Sequence, residues 1–296
     1  MHYPALEKYL DHLKSTYANP QNNLSRIHLD EQGRAIGKFF KARLSSVYQT
    51  IRDGQGGAIL AYEAYARSFS QEDSGLSVWR LLENAANDDE SVELDRLCRL
   101  LHTINYFRQV EGTIPDLYLS VHNRLLTAVS GNHGAAFRHV LEGLGLPQQP
   151  IVLQLPAISL SQRWVLSHVT ENYKRNGFRI AALASSLGEA QDLLGCIRPE
   201  AIKLDASRIT EREQGEALAK LLIDAQEAGT RIILRKIEKL ETLQLLHRTI
   251  PRELNFAVQG FVFEQPNPSL ERLARDVEHS LYHPAHLLAE AIDLPL

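Results

Sequence analysis

The first hydrophobic signal along the chain is helical. Leu6, Tyr9, Leu10 and Leu13 recur at spacings of three and four, which predicts an amphipathic helix ending before the polar NPQNN stretch. From about residue 44 the pattern changes to short, apolar, β-branched runs: 45–51, 57–65, 116–122, 150–156, 178–183, 201–205, 230–235 and 256–263. Runs that are apolar on both faces belong in a covered sheet. The stretches between them, such as SLSQRWVLSHVTENYKRNG and QGEALAKLLIDAQEAG, have helical period and end at glycine. The acidic stretch ENAANDDESVE, residues 83–93, reads as a solvated loop and helix N-cap.

Strands alternating with helices predict an α/β chain closed into a TM-like ring of the kind called a TIM-like (β/α) barrel, which typically needs about 250 residues. An open doubly wound sheet is the competing fold, but no glycine-rich phosphate loop follows an early strand. The expected organisation is a helical and extended segment over 1–43, packed on the barrel, and a barrel domain over 44–296.

Composition narrows the function classes. The 296 residues carry 32 basic and 36 acidic side chains, a formal charge of -4, so nothing in the bulk electrostatics recruits a nucleic acid. Cys98 and Cys196 lie far apart without metal-ligand spacing and read as core thiols in a reducing compartment. With no leader pattern at the start and no run of ~18 apolar residues, a cytoplasmic protein without a membrane span is expected.

A barrel presents its chemistry at the carboxyl ends of its strands. Those positions hold Glu63 and Arg67, His122 and Asn123, Gln154, Leu183 and Ala184, Lys203 and Asp205, Arg235 and Glu238, and Gln259. Glu63 and Arg67 read either as a metal ligand and a phosphate clamp or as a local ion pair at a strand-to-helix turn. Lys203 and Asp205 alternate by two and share one face, either the interior, where Lys203 would have a perturbed pKa or orient a water, or the surface. His122 reads either as a metal ligand or as a hydrogen-bonded residue of the barrel mouth. Gln154 offers an interior amide without charge. Arg235 would repel a cation and attract Glu63, Asp205 or Glu238.

The order of these segments resembles the EAL family, barrel phosphodiesterases that linearise cyclic diguanylate with two divalent metals, magnesium or manganese. The resemblance runs from VYQTI to VQGFVFEQP, roughly residues 44–266. Glu63-Ala64-Tyr65 stands for the signature, and Arg67 for the family's substrate-contacting arginine. Lys203 and Asp205 match its K-x-D pair, Glu238 the second glutamate of A-E-G-V-E, Gln259-Gly260 the closing Q-G, and Pro266 the last proline. His122 replaces the family's metal-binding asparagine, Gln154 a glutamate, Leu183 and Ala184 the paired aspartates of D-D-F-G, and Arg235 the first glutamate of A-E-G-V-E.

The resemblance therefore implies a degenerate barrel of the EAL type. Five positions lose an asparagine or a carboxylate, and two-metal hydrolysis requires anionic ligands holding cations about 3.5–4 Å apart. No metal cofactor is expected. Arg235 is expected to fill the vacated region and neutralise Glu63, with help from Asp205. The leading expectation is a catalytically silent regulatory protein acting through a protein partner, with homodimerisation as in other EAL proteins. The alternatives are a cyclic diguanylate sensor that uses Arg67 without cleavage, and a residual metal-dependent phosphodiesterase.

Overall fold

The N-terminal helix α1 (Pro4–Tyr17) forms as the spacing predicts, with Leu6, Leu10 and Leu13 buried against the rest of the molecule. The structure is a computed structural model that describes residues 2–17, 26–40, 42–55, 57–69, 74–77, 88–123, 132–157, 163–209 and 212–278. After α1 come β1 (Ile27–Leu29), β2 (Ala35–Phe39), β3 (Ala42–Asp53), β4 (Ile59–Phe69) and β5 (Ser74–Ser77). Helices and strands then alternate through α2 (Asp88–Phe107), β6 (Asp116–Ser120), α3 (His133–Leu144), β7 (Ile151–Leu155), α4 (Arg163–Arg175) and β8 (Arg179–Ala184). The series continues with α5 (Leu187–Cys196), β9 (Ala201–Asp205), α6 (Arg212–Glu227), β10 (Arg231–Arg235), α7 (Leu240–Thr249), β11 (Ala257–Val258) and α8 (Leu270–Glu278).

Strand pairing runs β3-β11-β10-β9-β8-β7-β6-β4, and β3–β4 pairing closes the ring into a barrel. Parallel pairing joins the strands from β4 round to β11, whereas β3 is antiparallel to both of its barrel neighbours. This is a departure from the all-parallel ring that the alternation alone implies. It arises because the short loop between Asp53 and Ile59 makes β3 and β4 a hairpin instead of a crossover. The β1–β2 hairpin extends the sheet from β3, and β5 extends it from β4.

Seven of the sequence-predicted strands overlap observed strands closely, but the run over 256–263 forms a strand only at Ala257–Val258. Beyond it the backbone turns at Gln259–Phe263 and returns along β3, where Asn267 bridges Tyr48. Glu264 fills the remaining gap on that edge of β3. Its carboxylate accepts from the Thr50 backbone N–H at 3.0 Å and the Thr50 hydroxyl at 2.6 Å, and it pairs with buried Arg52. The acidic stretch at 83–93 is described from residue 88, where α2 begins; residues 83–87 lie outside the described residues.

Each barrel strand contributes one fully buried residue to an interior floor: Ile51, Ala61, Tyr118, Val152, Ala181, Ala201, Ile233 and Ala257. Side chains in a strand alternate between faces, so two residues further towards the mouth the same interior face carries Gln49, Glu63, Ser120, Gln154, Leu183, Lys203, Arg235 and Gln259. The apolar floor thus gives way to a polar layer. A second, larger core fills the space between barrel and helices and includes the buried face of α1. Among the described residues no helix is long and apolar enough to cross a membrane.

Candidate functional site

Glu63 is the hub of the barrel mouth. Its Oε2 accepts from Lys203 Nζ at 2.5 Å, from the Tyr65 hydroxyl at 2.6 Å and from Gln259 Nε2 at 2.8 Å. The alternation that puts Lys203 on the interior face buries it completely, and its ammonium lies 5.5 Å from the Tyr118 ring centroid. A buried carboxylate and a buried ammonium are each costly alone, and here each offsets the other's lost hydration.

The electrostatics follow from that contact. Burial pushes the Glu63 carboxyl upwards, but Lys203 and the donors from Tyr65 and Gln259 outweigh it and hold the group below the usual carboxylate range. Burial, joined by the nearby Arg235 cation, holds Lys203 below the usual lysine range although Glu63 opposes the shift. Tyr65 is raised, first by burial and then by the carboxylate to which it donates.

Gln259 reaches Glu63 because the loop after β11 lies directly on the loop after β10. Ile237 N–H donates to the Gln259 carbonyl at 3.1 Å, and Val262 N–H donates to the Ile237 carbonyl at 3.0 Å. A Cβ on Gly260 would stand 2.0 Å from the Ile237 carbonyl oxygen, so this approach requires glycine.

Asp205 ends β9 and caps the short turn Ala206–Arg208. It accepts from the Ser207 backbone at 3.1 Å and hydroxyl at 2.7 Å, and it pairs with Lys236 at 2.7 Å. Burial works against its ionisation, but Lys236 and Ser207 hold its carboxyl below the ordinary value. Lys236 has a φ of 60°, in the left-handed region, and occupies the glycine position of A-E-G-V-E. Nothing in the one-dimensional spacing marks Lys236 as a partner of Asp205; only the left-handed backbone reveals it.

The expected Arg235–Glu63 ion pair is not formed. Lys203 takes the carboxylate from the next strand, Lys236 takes Asp205, and Arg235 keeps a buried Nε without a hydrogen-bond partner. The strand-to-helix ion pair of Glu63 with Arg67 is also absent, because both residues lie within the extended β4, roughly 13 Å apart at about 3.3 Å per residue. Arg67 stands above the mouth, opposite Ser45 of β3.

The remaining substituted positions are neutral or turned elsewhere. Gln154 donates weakly to Ser120 at 3.4 Å, and its buried Oε1 has no partner. Leu183 shares the interior face, whereas Ala184 is buried in the helix-side core. His122 follows β6, and its backbone N–H donates to Asp95 Oδ1 at 3.0 Å. Asp95 is itself paired at 2.6 Å with buried Arg99, which lies over the Phe137 ring. Glu238 is exposed and enters no ion pair among the described residues.

These groups do not fit two divalent cations. Glu63 and Asp205 are both neutralised by ammonium groups, and the facing positions offer an alkyl chain, an amide and a guanidinium. Among the described residues no group of three or more His, Cys, Asp or Glu side chains is placed to hold a metal ion.

Comparison with known proteins bears on the same barrel. The EAL domain profile matches residues 34–266. No curated protein matches the chain significantly. The Bacillus subtilis YkuI protein, with an EAL domain and in complex with substrate c-di-GMP and calcium, is similar with a TM-score of 0.60 and 19% identity, over 84% of this chain and 63% of that one. The Xanthomonas citri FimX EAL domain in complex with c-diGMP gives 0.63 and 17% identity, over 88% and 96%. A standalone EAL protein from Vibrio cholerae O395 in a c-di-GMP-bound form gives 0.60 and 18%, over 76% and 93%. This chain spans less than two thirds of YkuI and nearly all of the other two. The solved structures share the fold, and the profile spans most of the chain: the protein belongs to the EAL-domain family.

Proposed function

We propose that this EAL-domain protein is a regulatory protein that does not hydrolyse cyclic diguanylate and acts by binding another protein. The observation that carries the reading is the saturation of Glu63. One carboxylate oxygen takes three donors, including a buried ammonium, at the place where the resemblance calls for a metal ligand. Around it stand Gln154, Leu183 and Arg235, which give a dication no anionic field. With catalysis removed, the outer helices and the mouth loops remain as surfaces for a partner, and the fold by itself does not require turnover. The proposed setting is the cytoplasm, and the proposed assembly is a homodimer.

A second reading is favoured by Arg67. It is exposed above the mouth and enters no ion pair among the described residues, so a ligand phosphate has access to it. On this reading the protein senses cyclic diguanylate without cleaving it.

The test is chromatographic analysis of cyclic diguanylate incubated with the purified protein in magnesium and separately in manganese. Intact nucleotide in both is the expected result. Metal-dependent appearance of the linear dinucleotide would overturn the proposal. Stoichiometric binding without cleavage would select the sensing reading.

A further inference from the structure

Outside the barrel mouth, the upper parts of β3 and β4 and the β1–β2 hairpin enclose a groove of about 270 Å³ lined by Arg34, Arg43, Ser45 and Arg67 with Asp30 and Pro268. Its charge is unbalanced. Asp30 is committed to Arg34, accepting from its Nε at 2.8 Å and from the Gln32 and Arg34 backbone at 3.0 and 2.8 Å. Arg43 and Arg67 enter no ion pair among the described residues.

Pairing of Ser45 with Arg67, and of Arg43 with Phe69, makes the two arginines diagonal neighbours on one face, with backbones roughly 7–8 Å apart. Two like charges at this spacing repel each other, and an anion carrying two charges placed between them relieves the repulsion while accepting from both guanidinium forks. The hydroxyl of Ser45 lies between the two strands' cations as a further donor.

The walls are fixed before any ligand arrives. Asn105 of α2 grips β2, accepting from the Ala35 N–H at 2.8 Å and donating to the Ala35 carbonyl at 2.9 Å. Arg108 donates to the Gly33 carbonyl at the hairpin turn. Such anchoring lowers the ordering cost of binding.

We propose that this groove is a metal-independent site for a terminal phosphate or diphosphate group of a small molecule, with Arg43 and Arg67 as its two charged jaws. The proposal goes beyond the protein-partner reading and stands apart from it, because the groove needs neither Glu63 nor a metal.

The experiment is calorimetric titration with inorganic pyrophosphate at low ionic strength in the presence of chelator, with a parallel arm using adenosine diphosphate. The expected result is stoichiometric binding of pyrophosphate that Arg43→Ala weakens about tenfold or more and Arg43→Glu abolishes, with unchanged unfolding midpoints. Arg252→Ala, an exposed arginine outside the groove, should leave the affinity unchanged. Tighter binding of the nucleotide than of pyrophosphate would support a nucleotide as the source of the phosphate, and equal affinity would support recognition of the phosphate group alone. Absence of binding by either probe, undiminished affinity in Arg43→Glu, or an equal loss in Arg252→Ala would overturn the proposal. None of these outcomes alters the hydrolysis test of the proposed function.

Discussion

Replacing Lys203 by methionine keeps most of the side chain's volume and removes only its charge. Glu63 would then be a buried carboxylate without a cation, retaining Tyr65 and Gln259 as donors. Breaking a buried pair from one side costs about 3–5 kcal/mol. For a chain of 296 residues, an unfolding entropy of about 2.1 cal/mol/K per residue makes this a fall in Tm of roughly 5–8 °C. The pH dependence adds a sign. In the wild type the Glu63 carboxyl lies below its ordinary value, so the pair's contribution is present above about pH 4.3 and is lost as pH falls through the folded value. In Lys203→Met burial governs the carboxyl and raises it. The deficit should then be largest near neutral pH and should shrink as acid neutralises Glu63. Glu63→Gln combined with Lys203→Met should recover most of the loss. Thermal unfolding followed by circular dichroism, at about pH 7.5 and about pH 5, measures all three variants. A single variant within about 1 kcal/mol of wild type, or a double variant no more stable than the single, would refute the reasoning.

Other consequences are local. Gly260→Ala should destabilise the protein, because a Cβ would collide with the Ile237 carbonyl, and denaturant unfolding should show a lower midpoint. Asn105→Ala should cost about 1–3 kcal/mol in the same measurement by leaving both backbone groups of Ala35 without their buried partner. Cys98 has its thiol pushed up to about 12 by burial, whereas Cys196 is exposed, so a thiol reagent at neutral pH should label Cys196 rapidly and Cys98 only on unfolding.

Much of the barrel was legible because strand alternation and helix period report burial directly. The floor residues and the layer above them follow from parity once each strand is recognised, and parity is what brings Glu63, Lys203 and Gln259 together. The choice between Lys203 and Arg235 as the partner of Glu63 was not legible, since both positions face the interior and only the stagger between strands decides which charge reaches the carboxylate. Lys236 was missed because a left-handed backbone, invisible in residue spacing, aims it at Asp205. The β1–β2 hairpin and the Glu264 closure of β3 were missed for another reason. Their segments are short, and their stability comes from partners distant in sequence, Asn105 for β2 and Thr50 with Arg52 for Glu264.

The account's central claim is that the mouth of this barrel is held together by buried ion pairs where the resemblance calls for two metal ions. Manganese titrated into the protein by calorimetry, with and without cyclic diguanylate, tests it most directly. The account predicts no stoichiometric uptake in either case. Binding of two ions per chain, lost in a Glu63→Gln variant, would contradict it.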